Sequence, residues 1–177
     1  MGEPSTRRAP FDRREYYEGV RLRGRAYPGF DWPSTAVILN LLLAHAELQA
    51  HIALRLSRFG LSVTSFNILM ILSRRDGDDC FLHELSDMLL VSRANVTGVV
   101  DTLVRKGLAE RRAHEGDRRK CRVQITGEGK RRLKKLLPGH FREHRAITAG
   151  LTAPEKKQLS ALLARLGEGF KERRETA

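Results

Sequence analysis

The stretch Ser92-Arg93-Ala94-Asn95-Val96-Thr97-Gly98-Val99-Val100-Asp101-Thr102-Leu103-Val104-Arg105-Lys106-Gly107, with Asp117-Arg118-Arg119-Lys120 shortly after it, decides the fold. Projected at about 100° per residue, positions 92 to 106 form an amphipathic helix. Val96, Val99, Val100 and Leu103 face a core, while Ala94, Gly98, Asp101 and Arg105 occupy the opposite pole. Asn95, Thr97 and Thr102 flank that pole. Ser92 is a good N-cap and Gly107 a good stop. Asp101 is placed to pair with Arg105 at i+4.

Outward from this helix, Leu82 to Leu90 reads as a shorter one, with Leu82, Leu85 and Leu89 on one side and Val91 as the turn. A short helix, a tight turn and a longer helix have helix-turn-helix proportions. Downstream, Leu108 to Arg112 and Cys121 to Ile125 read as two strands, the second through the alternation of Cys121, Val123 and Ile125 with Arg122 and Gln124. The residues between them form a long charged hairpin loop. The order matches a winged helix-turn-helix, in which a helix enters the major groove of DNA and a hairpin wing reaches the minor groove.

The residue types suit that task. Small residues at the start of the helix let its backbone approach base edges closely. Asn95 can pair with adenine in two hydrogen bonds, and Thr97 and Ala94 can meet a thymine methyl. Ser92 and Arg93 sit where phosphates meet a helix N-terminus. Gly98 lies on the same face. In the hairpin, Arg118, Arg119 and Lys120 can reach a phosphate-lined minor groove, and Asp117 can steady Arg119 for insertion.

The charge agrees. The 177 residues carry a formal net charge of +12, which favours polyanionic partners. Residues 90 to 140 hold 14 Lys or Arg against five Asp or Glu, so most of the excess lies in this third of the chain. Two cysteines, Cys80 and Cys121, are too few for a disulfide framework and fit a reducing cytoplasm, Cys80 as a loop residue and Cys121 as a buried strand residue. The N-terminus is polar and Arg-rich, unlike a signal peptide. The longest apolar run, Ala36 to Ala46, is interrupted by Asn40 and His45 and is short of a membrane span, so no membrane partner is expected. No cofactor motif is present.

Flanking segments complete the organisation. Residues 1–33 carry seven Arg and four Pro and read as an N-terminal arm, with a short helix over Phe11 to Val20. Within it, Arg23-Gly24-Arg25 has the makings of a minor-groove hook, with Ala26 where such a hook carries proline; the other reading is a helix packed on a partner. A long helix follows to Phe59, stopped by Gly60, and a second spans Thr64 to Arg74 before the turn at Arg75 to Asp79. Two further helices close the chain, one after Thr126 and one opened by the capping box Thr152-Ala153-Pro154-Glu155. Residues 34–60 and 126–172 therefore read as dimerisation helices and 61–125 as the winged lobe. The apolar stripes on the former exceed what one small lobe covers.

Residues 34–172 resemble the MarR (multiple antibiotic resistance regulator) family of bacterial transcription factors. The resemblance rests on the wing signature Asp117-Arg118-Arg119-Lys120-Cys121-Arg122-Val123-Gln124-Ile125-Thr126, on Val91 to Gly98, and on Lys106-Gly107-Leu108. It implies a mainly α subunit of six helices with a small β-hairpin wing, and an intertwined homodimer. It also implies a repressor that reads a pseudo-palindromic double-stranded DNA operator and is released by a small effector. A small aromatic or phenolic effector is placed near Trp32, His45, His51 and Phe66. The chain lacks the first-helix cysteine of peroxide-sensing members. It has Ser65-Phe66-Asn67 where urate-binding members carry an acid.

One motif points elsewhere. His140-Phe141-Arg142-Glu143-His144 fits an inverted zinc-hydrolase pattern, with two imidazoles at i and i+4 and a carboxylate between. The alternatives are a zinc hydrolase, a zinc-responsive repressor drawing also on His45, Glu47 and His51, and plain polar groups on a dimer helix.

Overall fold

Two aspartates each start a helix of the N-terminal part. In the computed structural model, Asp12 accepts hydrogen bonds from the amides of Arg14 (2.8 Å) and Glu15 (3.3 Å), opening α1 (Arg13–Gly24). Asp31 accepts from the amide of Ser34 at 2.8 Å and opens α2 (Trp32–Ser57), where Pro33 fits the first turn. The structure describes residues 12–74, 80–89, 91–114 and 117–175, without the side chains of 113–121 and 174–175. Residues 1–11 of the arm, the expected turn at 75–79 and Leu90 lie outside the described residues, as do the side chains of Asp117, Arg118, Arg119, Lys120 and Cys121.

The chain divides into two compact units, Met1–Val63 and Thr64–Ala177. In the first, α1 and α2 form a hairpin closed by Gly29, whose φ of +78° suits glycine. Gly24 is required by contact: a Cβ there would lie 2.2 Å from the Phe30 ring. Arg13 bonds to Glu47 at 2.6 Å, and the Tyr17 hydroxyl donates to Asn40 at 2.8 Å. The arm is thus helical over Arg13–Gly24, later than the expected Phe11 to Val20, because Asp12 is the cap. Arg23-Gly24 ends that helix, with the Arg23 guanidinium donating to the Gly19 carbonyl.

In α2 only Leu56 is buried, while Val37, Ile38, Leu42, Leu48 and Leu54 are exposed. With 26 residues and a most apolar window of mean hydropathy 1.5, α2 meets the length and composition of a membrane span, which the interrupted run Ala36 to Ala46 had not suggested.

The second unit carries the core. α3 (Val63–Arg74) buries Phe66, Ile68, Leu69 and Leu72. Strand β1 (Cys80–Phe81) leads into α4 (Leu82–Leu89), whose Glu84 reaches back to the Phe81 amide at 2.8 Å. α5 (Arg93–Arg105) follows, then β2 (Ala109–His114), β3 (Asp117–Ile125), α6 (Gly127–Ile147) and α7 (Ala153–Glu175). The described residues hold seven helices, the six that the resemblance implies and the one expected in the arm.

The antiparallel sheet has the order β1-β3-β2, with Cys80 opposite Val123 and Arg111 also opposite Val123 on the other side. β1 was not anticipated, and Cys80 is a fully buried strand residue rather than a loop residue. The hairpin strands are also longer than expected. Asp117 to Lys120 belong to β3, and pairing continues to His114 opposite Asp117 past an irregularity at Ala113/His114. Pro138 lies within a continuous α6. α7 opens on the expected capping box, with the Thr152 amide donating to Glu155 at 2.7 Å.

Candidate nucleic-acid interface

The Ser92 hydroxyl accepts from the Asn95 amide at 3.3 Å and caps α5. Val96, Val100 and Leu103 are fully buried and Val99 half-buried, which turns the rest of the helix outward. Arg93, Ala94, Asn95, Gly98, Asp101 and Arg105 are exposed, and Thr97 is half-buried. The face expected from the 3.6-residue period is therefore the one presented to solvent.

Details on that face sharpen its chemistry. The Thr97 hydroxyl donates to the Arg93 carbonyl at 2.9 Å, and Thr102 donates to that of Gly98 at 3.0 Å. Each has committed its one O–H proton to the helix backbone, which on Thr97 leaves the methyl and the oxygen lone pairs for a ligand. A Cβ built on Gly98 would meet nothing within 4 Å. A mid-helix glycine costs about 1 kcal/mol relative to alanine, and no internal contact demands this one.

Asp101 corrects an expectation. Its carboxylate pairs with Arg111 of β2 at 2.7 Å, not with Arg105, which donates to the Thr102 hydroxyl at 3.0 Å. The i+4 rule describes an isolated helix; here a strand guanidinium competes and wins.

The hairpin root is bound to the end of α5. Gly107 turns the chain with φ +67°, and Leu108 and Ala109 are buried. The Thr126 amide donates to the Leu108 carbonyl at 3.1 Å. Beyond the root, Arg112 bonds to Glu110 at 2.8 Å, and the Arg122 guanidinium lies 5.2 Å from the centre of the Phe81 ring. His83 stacks on Phe81 at 5.5 Å. Sequence reading assigned no role to Phe81, Arg111 or Arg122, since a two-residue strand shows no period and ion-pair partners across elements leave no spacing signal. After the hairpin, Lys130, Arg131, Lys134 and Lys135 are exposed on α6, with Arg131 held by Glu128 at 2.9 Å.

Of the residues considered for an effector, Trp32, His45 and His51 lie along α2 and Phe66 lies on α3. Trp32 lies edge-on to Tyr17 at 6.1 Å, and His45 and His51 are exposed further along the same helix. At 1.5 Å rise per residue, Trp32 and His51 are roughly 28 Å apart along α2. Phe66 belongs to the second unit, buried and edge-on to His140 at 4.8 Å. The rings of His140 and His144 are 4.2 Å apart. Among the described residues no three His, Cys, Asp or Glu side chains are grouped to hold a metal ion.

A capped helix with an exposed polar face, preceded by a short helix and followed by a hairpin locked to its end, defines a winged helix-turn-helix transcription regulator. The chain belongs to the MarR family. Residues 59–120 match that family. The chain is 31% identical over 152 residues to the HTH-type transcriptional repressor YetL of Bacillus subtilis, spanning 86% of this chain and 91% of that one. It is 30% identical over 147 residues to the transcriptional repressor MprA of Escherichia coli, spanning 82% and 84%. In fold it is similar to AbsC, a MarR family regulator from Streptomyces coelicolor, with a TM-score of 0.74 at 20% identity over 82% of this chain and 99% of that one. A second MarR family regulator from that organism, crystallised in complex with DNA, gives 0.74 at 23% identity over 81% and 91%. These relatives are regulators, not enzymes, so the zinc-hydrolase reading of His140, Glu143 and His144 is set aside.

Proposed function

We propose that this protein is a cytoplasmic, homodimeric repressor that reads a pseudo-palindromic operator. In this reading α5 lies in the major groove and the β2–β3 wing follows the adjacent minor groove. The observation that carries it is the division of α5: Val96, Val100 and Leu103 anchor the helix, and Arg93, Ala94, Asn95 and Gly98 are left outward. Asn95 reads adenine, Ala94 and Thr97 pack on thymine methyls, and Ser92 and Arg93 hold phosphate. In the wing Asp117 orients Arg119 for the minor groove, while Arg118 and Lys120 hold phosphate.

Residues 34–60 and 126–172 make the dimer. The exposed apolar side chains of α2, with Leu159, Leu162, Leu163 and Phe170 of α7, need a cover. Lipid is a poor one for α2, because Asn40, His45, Glu47, Gln49 and His51 would enter the bilayer core with it. A second subunit can meet both the apolar and the polar groups. A small aromatic or phenolic effector then shifts the dimer out of its DNA-competent form; one solved relative in fold, from Bordetella bronchiseptica, is regulated in DNA binding by 6-hydroxynicotinic acid. For such an effector Trp32 with Tyr17, or the His45 to His51 stretch, is the anchor to test first.

Selecting duplexes from a random pool with the full-length protein tests the reading. It predicts an enriched pseudo-palindrome with half-site centres roughly 34–36 Å apart. A pool that shows no enrichment overturns it.

A further inference from the structure

The Asp101–Arg111 pair joins the two elements to which the proposed function assigns DNA contact, and it rests at an informative level. At the root of the hairpin Leu108 and Ala109 are buried, whereas on β2 Arg111 and Arg112 are exposed. Arg111 is thus the first exposed residue of β2, and its guanidinium meets Asp101 on the exposed face of α5 at 2.7 Å. The neighbouring guanidiniums are engaged elsewhere, Arg112 on Glu110 and Arg105 on Thr102. Opposite Arg111 stands Val123, and β3 runs from there out to Asp117.

We infer that Asp101 and Arg111 are positioning residues that clamp the wing to the recognition helix, so that both enter DNA as one rigid reader. This rests on the DNA-binding reading above. The lever is long: from Val123 to Asp117 the strand spans roughly 20 Å, so a 5° swing at the root moves the tip by about 1.7 Å. That displacement is half a hydrogen-bond length and enough to misplace a minor-groove arginine. The pair has a second effect. A bare carboxylate on the DNA-facing side of α5 would repel phosphate, and Arg111 neutralises it.

Both side chains are partly exposed, 34% for Arg111 and 53% for Asp101, so the pair adds little to global stability. Its effect is on geometry. The full-length variants Asp101→Asn, Arg111→Gln, their double mutant and the reversed pair Asp101→Arg with Arg111→Asp test this against the duplex selected by the wild type. Each single variant is expected to weaken binding about tenfold, the double to be no worse than the weaker single, and the reversed pair to recover most of the loss. In the DNA-free protein, hydrogen exchange at the paired amides between 111 and 123 is expected to quicken several-fold in the single variants and to return in the reversed pair, with the melting temperature unchanged.

Asp101→Asn binding as tightly as wild type, or single losses that simply multiply in the double mutant, overturns the clamp. So does unchanged exchange in a protein that still selects DNA. A wild type that selects no duplex overturns the regulator reading, and the clamp's role in DNA binding falls with it.

Discussion

Thr126 donates its hydroxyl proton to the carbonyl oxygen of Gly107 at 2.7 Å and accepts from the Gly129 amide at 3.0 Å. One side chain therefore ties the exit of α5 to the start of α6 and closes the base of the wing. Thr126→Val keeps the shape and removes both bonds. It is expected to lower stability by about 1–2 kcal/mol in denaturant unfolding. Gly129→Ala is expected to cost more, about 1–3 kcal/mol or beyond, because its Cβ would come 2.2 Å from the Leu108 carbonyl oxygen, which is backbone and cannot step aside.

Gly98 separates folding from function. With open space around its missing Cβ, Gly98→Ala is expected to raise stability by up to about 1 kcal/mol while weakening DNA binding, because a methyl stands between the helix backbone and the groove. Paired unfolding and binding titrations check this. A variant that is both more stable and as tight a binder would mean that α5 does not approach DNA at Gly98.

The recognition helix was the part most legible in the sequence. The Ser92 cap, the buried Val96, Val100 and Leu103, and the outward Asn95 all follow from a 3.6-residue period that tertiary contacts reinforce. The wing was harder. Arg118, Arg119 and Lys120 offer no apolar alternation, so a strand held by backbone pairing to His114 reads as a loop. β1 is two residues long and has no period at all. Asp101 misled because its real partner, Arg111, is reached through the fold rather than along the helix.

In the proposed reading the wing's contribution is electrostatic and is best read in salt. Arg119→Ala is expected to weaken binding to many sequences alike and to reduce the slope of log affinity against log salt by about 1. Titrations at several salt concentrations on the selected duplex and on a scrambled one measure it. An unchanged slope would remove Arg119 from the DNA contact.

The α7 cap carries a pH signature. Hydrogen bonds from the hydroxyl and then the amide of Thr152 hold the Glu155 carboxyl below its ordinary value. A carboxylate depressed on folding stabilises the folded state above its unfolded pKa, and that contribution is lost as pH falls through the folded value. Glu155→Gln is thus expected to melt below wild type at pH 7, with the gap narrowing as pH falls below the ordinary glutamate range. A gap that is independent of pH would show that the bonds of Glu155 do not depend on its charge.

The most direct test of base reading by α5 is the equilibrium affinity of Asn95→Ala for the selected duplex and for one changed at a single adenine of each half-site. The account predicts a loss of about 1–3 kcal/mol on the selected duplex and almost none on the changed one, so that the variant no longer distinguishes them. Equal losses on both duplexes, or no loss on either, would contradict it.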